Sequence, residues 1–120
     1  KPLADCFPNG MRYLIQKIGE GIFAGRDDYG VMAKMHLDMV VEAYQGFREA
    51  LIERKEFGEY VENDLNEFQH ALSRIDLYLS GENDFLTEAD MRIYHSYIST
   101  EHKKFVEIAE QIDEQYQAET

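Results

Sequence analysis

Residues 61–79 read VENDLNEFQHALSRIDLYL, and their apolar side chains recur with the period of a packed helix. The intervals between successive apolar positions are four, three, four, three and four residues, which places the side chains on one helical face. This segment therefore predicts a long amphipathic helix. Its seam consists of Val61, Leu65, Phe68, Leu72, Ile75 and Leu79.

The next helix is marked by a start signal downstream of this seam. Residues 80–84, SGEND, have the composition of a polar loop. Thr87 and Asp90, three residues apart, have the spacing of a capping box. We expect a helix to begin there and to continue to about Tyr116. Its apolar stripe comprises Met91, Tyr94, Ile98, Phe105, Ile108 and Ile112.

A short helix is predicted near the start of the chain. Residues 1–9 contain both prolines of the sequence and are interpreted as an irregular arm. Asn9 is a residue type that caps helix N-termini, and apolar positions follow it at helical spacing. Gly19 and Gly21 are expected to end this helix.

A longer helix is predicted between this short helix and Gly58. Residues 25–30, GRDDYG, have the composition of a loop that feeds a helix capped near Asp27 or Asp28. The helix is expected to run to about Arg54 and to face the core with one apolar stripe. That stripe consists of Met32, Met35, Met39, Ala43, Phe47, Ala50 and Leu51.

These elements together predict the fold class. No segment alternates apolar and polar residues for long enough to build a sheet. One short and three long helices joined by short loops predict an all-α, antiparallel four-helix bundle. Its 120 residues are expected to form a single domain spanning 1–120. Because a long, thin bundle has little core per residue, we expect a homodimer.

Charge is the clearest compositional signal about partners. The chain carries 24 acidic and 12 basic side chains, a formal net charge of −12. This balance argues against nucleic acid and anionic membranes as partners, and no apolar run is long enough for a membrane span. Two sets of glutamates recur at intervals of three or four residues, and each set is expected to line one side of a helix and meet a protein partner. The sets are Glu53, Glu56, Glu59 and Glu62, and Glu107, Glu110 and Glu114.

Histidines are the candidate ligand-binding residues. His36, His95 and His102 lie on or beside apolar stripes, and His95 and His102 are two helical turns apart. They could line a ligand or metal site, but no pair has the i, i+4 spacing of a helical zinc motif. The more ordinary interpretation is histidines at the edge of a core, hydrogen-bonded to Tyr or Glu. We expect no metal and no cofactor.

The segment His70-Ala71-Leu72 resembles the phosphoacceptor region of histidine-phosphotransfer bundles, which are also acidic and four-helical. That class usually has Lys and Gly three and four residues after its histidine, where this chain has Ser73 and Arg74. The spacing of the residues also shows no Ser-His-Asp arrangement for nucleophilic catalysis. The single cysteine, Cys6, excludes an internal disulfide and weakly favours a cytoplasmic location.

Three functional hypotheses follow from the sequence. The first is a non-enzymatic helical protein–protein interaction or regulatory module that self-associates through its apolar seams. The second is an acidic inhibitor or nucleic-acid mimic that blocks a basic site on another protein. The third is a small-molecule or metal-binding bundle that uses the three histidines.

Overall fold

A computed structural model describes residues 2–23, 27–81 and 85–119 of the chain, with side chains described there except at 27–30, 118 and 119. Within this part, a 3-10 helix, Leu3–Cys6, is followed by four α-helices without any strand. They are α1 (Met11–Phe23), α2 (Asp27–Glu53), α3 (Glu59–Ser80) and α4 (Glu88–Glu119). The predicted all-α, antiparallel four-helix bundle with one short and three long helices is confirmed.

The four helices form a ring in which each packs against two neighbours. α1 lies against α2 and α4, and α3 lies against the same two helices from the other side. The bundle is elongated, with principal dimensions of 51 × 26 × 19 Å. None of the described helices is long and apolar enough to cross a membrane.

The seam predicted for residues 61–79 is the inner face of α3. Val61, Leu65, Phe68 and Ile75 are completely enclosed, and Leu72 nearly so, whereas Leu79 at the end of the helix is half-buried. Gly81 then ends α3 in the left-handed conformation, with φ +68°, and its N–H bonds back to Leu77 and Tyr78. Glycine suits this position because it has no Cβ to clash. Residues 82–84 of the predicted loop lie outside the described part of the chain.

The predicted capping box opens α4. The Thr87 backbone N–H donates to Asp90 Oδ2 at 2.9 Å, and the Asp90 backbone N–H donates to Thr87 Oγ1 at 3.2 Å. These two reciprocal bonds satisfy backbone donors that the first turn of a helix leaves without partners. The helix then runs to Glu119, about one turn beyond the predicted end.

α2 has the predicted length, but the prediction of its buried face was wrong in the first half of the helix. Met32, Met35 and Met39 are 54, 62 and 48% exposed, although their spacing is that of a core stripe. The fully buried stripe lies beside the predicted one and shares Phe47 and Leu51 with it, whereas the predicted Ala43 and Ala50 are partly buried and pack against the core. The members of the fully buried stripe are Ala33, Leu37, Val40, Tyr44, Phe47 and Leu51. In the second half of α2 the aromatic side chains of Tyr44 and Phe47 face inward, where they bury a large apolar area.

α1 continues through both glycines that were expected to end it. Gly19 and Gly21 are buried within the helix, which ends at Phe23. Gly19 faces the ring of His95 on α4, where an added Cβ would lie 2.6 Å from two ring atoms. Glycine is therefore required at this position for the close approach of α1 and α4. From the sequence alone, the same glycine is typical of a helix end. Gly25 and Arg26 of the predicted loop lie outside the described residues.

The predicted irregular arm is partly ordered structure packed on the bundle. Leu3 is completely buried, and the 3-10 helix that contains it contacts α2 and α4. The backbone N–H groups of Leu3 and Ala4 donate to the two carboxylate oxygens of Asp113 on α4, at 2.7 and 3.0 Å. A carboxylate is well suited to the N-terminal end of a helical turn, where backbone donors lack partners.

Candidate functional site

The first candidate site is an apolar row of α2 that is exposed at its three methionines and partly buried at Ala43 and Ala50; we call it the α2 band. Its residues step along the helix at intervals of three or four, so they share one face that lies beside the core stripe. The three methionines occupy the first half, and small residues occupy the second half. The α2 band consists of Met32, Met35, Met39, Ala43, Gly46 and Ala50.

The second half of the α2 band forms the floor of a groove. A cavity of about 480 Å³ lies over Met39, Ala43, Gly46 and Ala50, and the N-terminal segment contributes Cys6 and Pro8 as one wall. A second hollow shares Cys6 and Ala50 and extends toward Arg54. We call this continuous depression the α2 groove. At Gly46 a Cβ would meet no described atom within 4 Å, so the floor is open.

Carboxylates line the other side of the α2 groove. Glu42, Glu49 and Glu53 border the cavity and are exposed. None of them forms an ion pair with a basic side chain in the described ranges. An apolar floor beside a row of uncompensated negative charge favours a partner with an apolar face and a basic edge.

The two predicted glutamate sets have different outcomes. Glu107, Glu110 and Glu114 are all exposed on α4, so their placement on one side of a helix is confirmed. Glu53, Glu56, Glu59 and Glu62 do not share a helix, because α2 ends at Glu53 and α3 begins at Glu59. Lys55 takes a left-handed conformation between them, with φ 60°. The four glutamates therefore surround the α2–α3 turn, and the prediction of one helical face for them was wrong.

The second candidate site is a cavity of about 340 Å³ between α1 and α4, which we call the α1–α4 pocket. Two of the three candidate histidines, His95 and His102, line it together; His36 does not. None of the residues that line the pocket is acidic. They are Arg12, Ile15, Gln16, His95, Ser99, His102 and Lys103.

His95 is held against α1 by its backbone. Its Nε2–H donates to the Ile15 carbonyl oxygen at 2.7 Å, and the ring packs on Gly19. The carbonyl can only accept, so Nε2 carries the hydrogen. Ser99, one turn later on α4, donates its hydroxyl to the His95 carbonyl at 2.8 Å. These contacts fix the α4 wall of the α1–α4 pocket.

His102 joins the α1–α4 pocket to the aromatic core. Its Nδ1 lies 2.6 Å from the hydroxyl of Tyr44, a fully enclosed residue of α2. Burial, and secondarily the charge of Arg12, lower the pKa of His102 to about 4. Burial, and secondarily the charge of Glu101, raise the pKa of Tyr44. Both groups are therefore neutral at pH 7.

The tautomer of His102 follows from its partner. The Tyr44 hydroxyl has no second acceptor among the described residues, so it donates to His102 Nδ1. In a neutral imidazole the remaining hydrogen must then lie on Nε2. The Nε2–H group is a donor that has no acceptor within the part of the chain that the structure describes.

The predicted three-histidine site is not assembled. His36 is half-buried on α2, and its Nδ1 is enclosed without a hydrogen-bond partner among the described residues. In those residues no group of three or more His, Cys, Asp or Glu side chains is arranged to hold a metal ion. His70 is exposed on α3, and its Nε2 accepts a hydrogen bond from Arg74 Nε at 3.2 Å.

Sequence reasoning missed Arg12 and Lys103 because they are far apart in the chain and belong to no motif. A weak signal was present in the spacing, since His95, Ser99 and Lys103 follow at intervals of four and so share a face of α4. The sequence misses the α2 groove because the spacing of its floor residues Met39, Ala43 and Ala50 predicts a core stripe. No family model, no curated protein and no solved structure matches this chain.

Proposed function

We propose that this chain is a non-enzymatic helical protein–protein interaction module whose α2 groove binds an amphipathic helix with basic flanking residues. The proposal is carried by one observation, the α2 band with its three exposed methionines beside carboxylates that form no ion pair in the described ranges. A cytoplasmic location, which Cys6 weakly favours, stays a prediction.

The residue types of the α2 band support a protein partner. Exposed apolar side chains that are contiguous, and not scattered singly, are typical of interaction surfaces. Methionine is flexible and polarizable, so it adapts to the shape of a partner's side chains. The small residues Ala43, Gly46 and Ala50 leave room for a helix to approach the α2 backbone closely.

The charge of the rim favours a basic partner over a second copy of the chain. Glu42, Glu49 and Glu53 would attract Lys or Arg side chains that flank an apolar stripe. Two copies meeting face to face through this groove would bring like charges together, which opposes association. The predicted homodimer is therefore an outcome that the experiment distinguishes.

The experiment uses two synthetic helical peptides of about 20 residues that share a leucine stripe at i, i+3, i+4 and i+7. One peptide has lysines flanking the stripe, and its twin has glutamates. Fluorescence anisotropy with the full chain should show tighter binding of the lysine peptide. G46Q, whose Cβ would meet no described atom within 4 Å and whose longer side chain would occupy the groove floor, should weaken binding about tenfold or more, equivalent to about 1.4 kcal/mol.

A matched control separates the groove from general surface effects. Ile93 is 67% exposed on α4, so I93Q should leave binding unchanged. Failure of both peptides to bind, or equal weakening by G46Q and I93Q, would refute the proposal. Binding that disappears at high salt but ignores G46Q would favour the acidic-inhibitor hypothesis instead. A dimer in sedimentation equilibrium that G46Q dissociates would assign the groove to a second copy and refute the basic partner.

A further inference from the structure

The α1–α4 pocket is an electrostatic exception in this chain. Acidic side chains outnumber basic ones two to one over the whole sequence, yet none lines this pocket. Arg12 and Lys103 both line it, and neither forms an ion pair or hydrogen bond with any residue that the structure describes. Of the other lining residues, Gln16 contacts Glu20, whose charge is balanced by Lys17 at 2.8 Å.

The fold brings these two cations together from distant parts of the chain. Arg12 lies on α1 and Lys103 on α4, and the packing of the two helices places both at one cavity. Like charges that share a site raise each other's energy, and an anion between them removes that cost. The same field acts on His102, because the Arg12 charge adds to burial in lowering the pKa of that ring.

We propose that the α1–α4 pocket binds a small phosphorylated molecule, with Arg12 and Lys103 contacting its phosphate and His102 Nε2–H donating a hydrogen bond. This inference does not depend on the function proposed for the α2 groove.

Charge and size together select this ligand class. A phosphate monoester carries a charge of roughly −1.5 to −2 near pH 7, which matches two fixed cations. Arg and Lys are the side chains that recognise phosphate most often. The cavity, about 340 Å³, is larger than one oxyanion requires, and Ile15 gives it an apolar wall. That space fits the organic group of a phosphate ester.

The neutral imidazole of His102 adds direction to the site. With Tyr44 donating to Nδ1, the ring is fixed with its Nε2–H as a donor for a phosphate oxygen. His95 cannot supply its Nε2–H, which is already bonded to Ile15. The proposed phosphate contacts therefore come from Arg12, Lys103 and His102.

The test is a titration of the full chain with phenyl phosphate and, separately, inorganic phosphate, at a constant ionic strength of about 0.1 M. Binding is measured by isothermal calorimetry and by the NMR signals of the four histidine Cε1–H groups. Phenyl phosphate should shift the signals of His95 and His102 and leave that of exposed His70 in place. It should bind more tightly than inorganic phosphate because its ring contacts Ile15.

Three variants make the test specific. R12Q and K103Q change exposed side chains and should fold normally, and each should weaken phenyl phosphate about tenfold. K104Q is the matched control, since it makes the same charge change one residue away on a side chain that pairs with Glu101 at 3.1 Å. It should weaken binding less than about twofold.

Each other outcome contradicts part of the inference. Absence of shifts at His95 and His102 up to about 20 mM phenyl phosphate would overturn the site, since weaker affinities correspond to non-specific contact. If K104Q and K103Q weaken phenyl phosphate binding equally, the ligand is attracted by the positive charge of this region and is not held in a defined pocket. Equal affinities for the two phosphates would overturn the role of the organic group.

Discussion

The buried pair of Tyr44 and His102 predicts how the stability of this chain depends on pH. Folding lowers the pKa of His102 from 6.5 to about 4. In the window between these values the unfolded chain binds a proton at this ring and the folded chain does not. The stabilising contribution of the neutral ring is therefore complete above pH 6.5 and is lost as pH falls toward 4.

The magnitude follows from the size of the pKa shift. One pKa unit corresponds to about 1.36 kcal/mol, so the full shift is worth about 3 kcal/mol. Because His102 lines the α1–α4 pocket, where solvent reaches part of the ring's surroundings, we expect about 2 kcal/mol of this to be measured at about pH 4.5.

The variant H102N isolates this contribution. The Asn Oδ1 atom replaces the Nδ1 acceptor for the Tyr44 hydroxyl but does not titrate. Urea unfolding of wild type and H102N at about pH 7 and about pH 4.5 gives two stability differences. Lowering the pH should shift that difference by about 2 kcal/mol in favour of H102N. The carboxylates titrate in both proteins, so their effect cancels in the comparison.

A change below about 0.5 kcal/mol would refute the argument, because this is the size of an ordinary surface effect. H70N is the matched control, since it removes an exposed histidine from α3. An equal pH-dependent shift in H70N would show that the effect does not belong to the buried pair of Tyr44 and His102.

Three further predictions concern backbone positions that the structure explains. G19A should lower the free energy of unfolding by about 1 to 2 kcal/mol because its Cβ would lie 2.6 Å from ring atoms of His95, and it should become stabilising in an H95A background. G46A, with no described atom within 4 Å of its Cβ, should instead raise stability by up to about 1 kcal/mol through helix propensity. K55G should raise it by about 0.5 to 1 kcal/mol, because glycine adopts the positive φ of 60° without strain. Urea midpoints check all three, and an opposite sign in any would contradict the local geometry.

The parts of the fold that the sequence predicts correctly depend on local or strongly periodic signals. The α3 seam is recognisable because its polar and apolar sides are well separated along the whole helix. The start of α4 is recognisable because the bonds between Thr87 and Asp90 need no other part of the chain. Both signals are complete within one segment.

The parts that the sequence predicts wrongly depend on contacts between distant segments. Gly19 has the sequence appearance of a helix break, but its reason is a histidine 76 positions later in the chain. The 3-10 helix is anchored by Asp113, near the other end of the chain. The α1–α4 pocket follows the same rule, because only the packing of α1 on α4 brings Arg12 to Lys103.

The error in α2 shows what spacing alone omits and supports the proposed function. α2 carries two apolar stripes at helical spacing, and periodicity does not say which one faces the core. Residue type separates them, since the buried stripe includes Val40, Tyr44 and Phe47, whose side chains have few rotamers and pack in a defined way. The other stripe begins with three exposed, flexible methionines and ends in small residues, of which Ala43 and Ala50 are partly buried. A rigid stripe fixes how α2 sits in the bundle, whereas an adaptable stripe suits a partner whose shape varies.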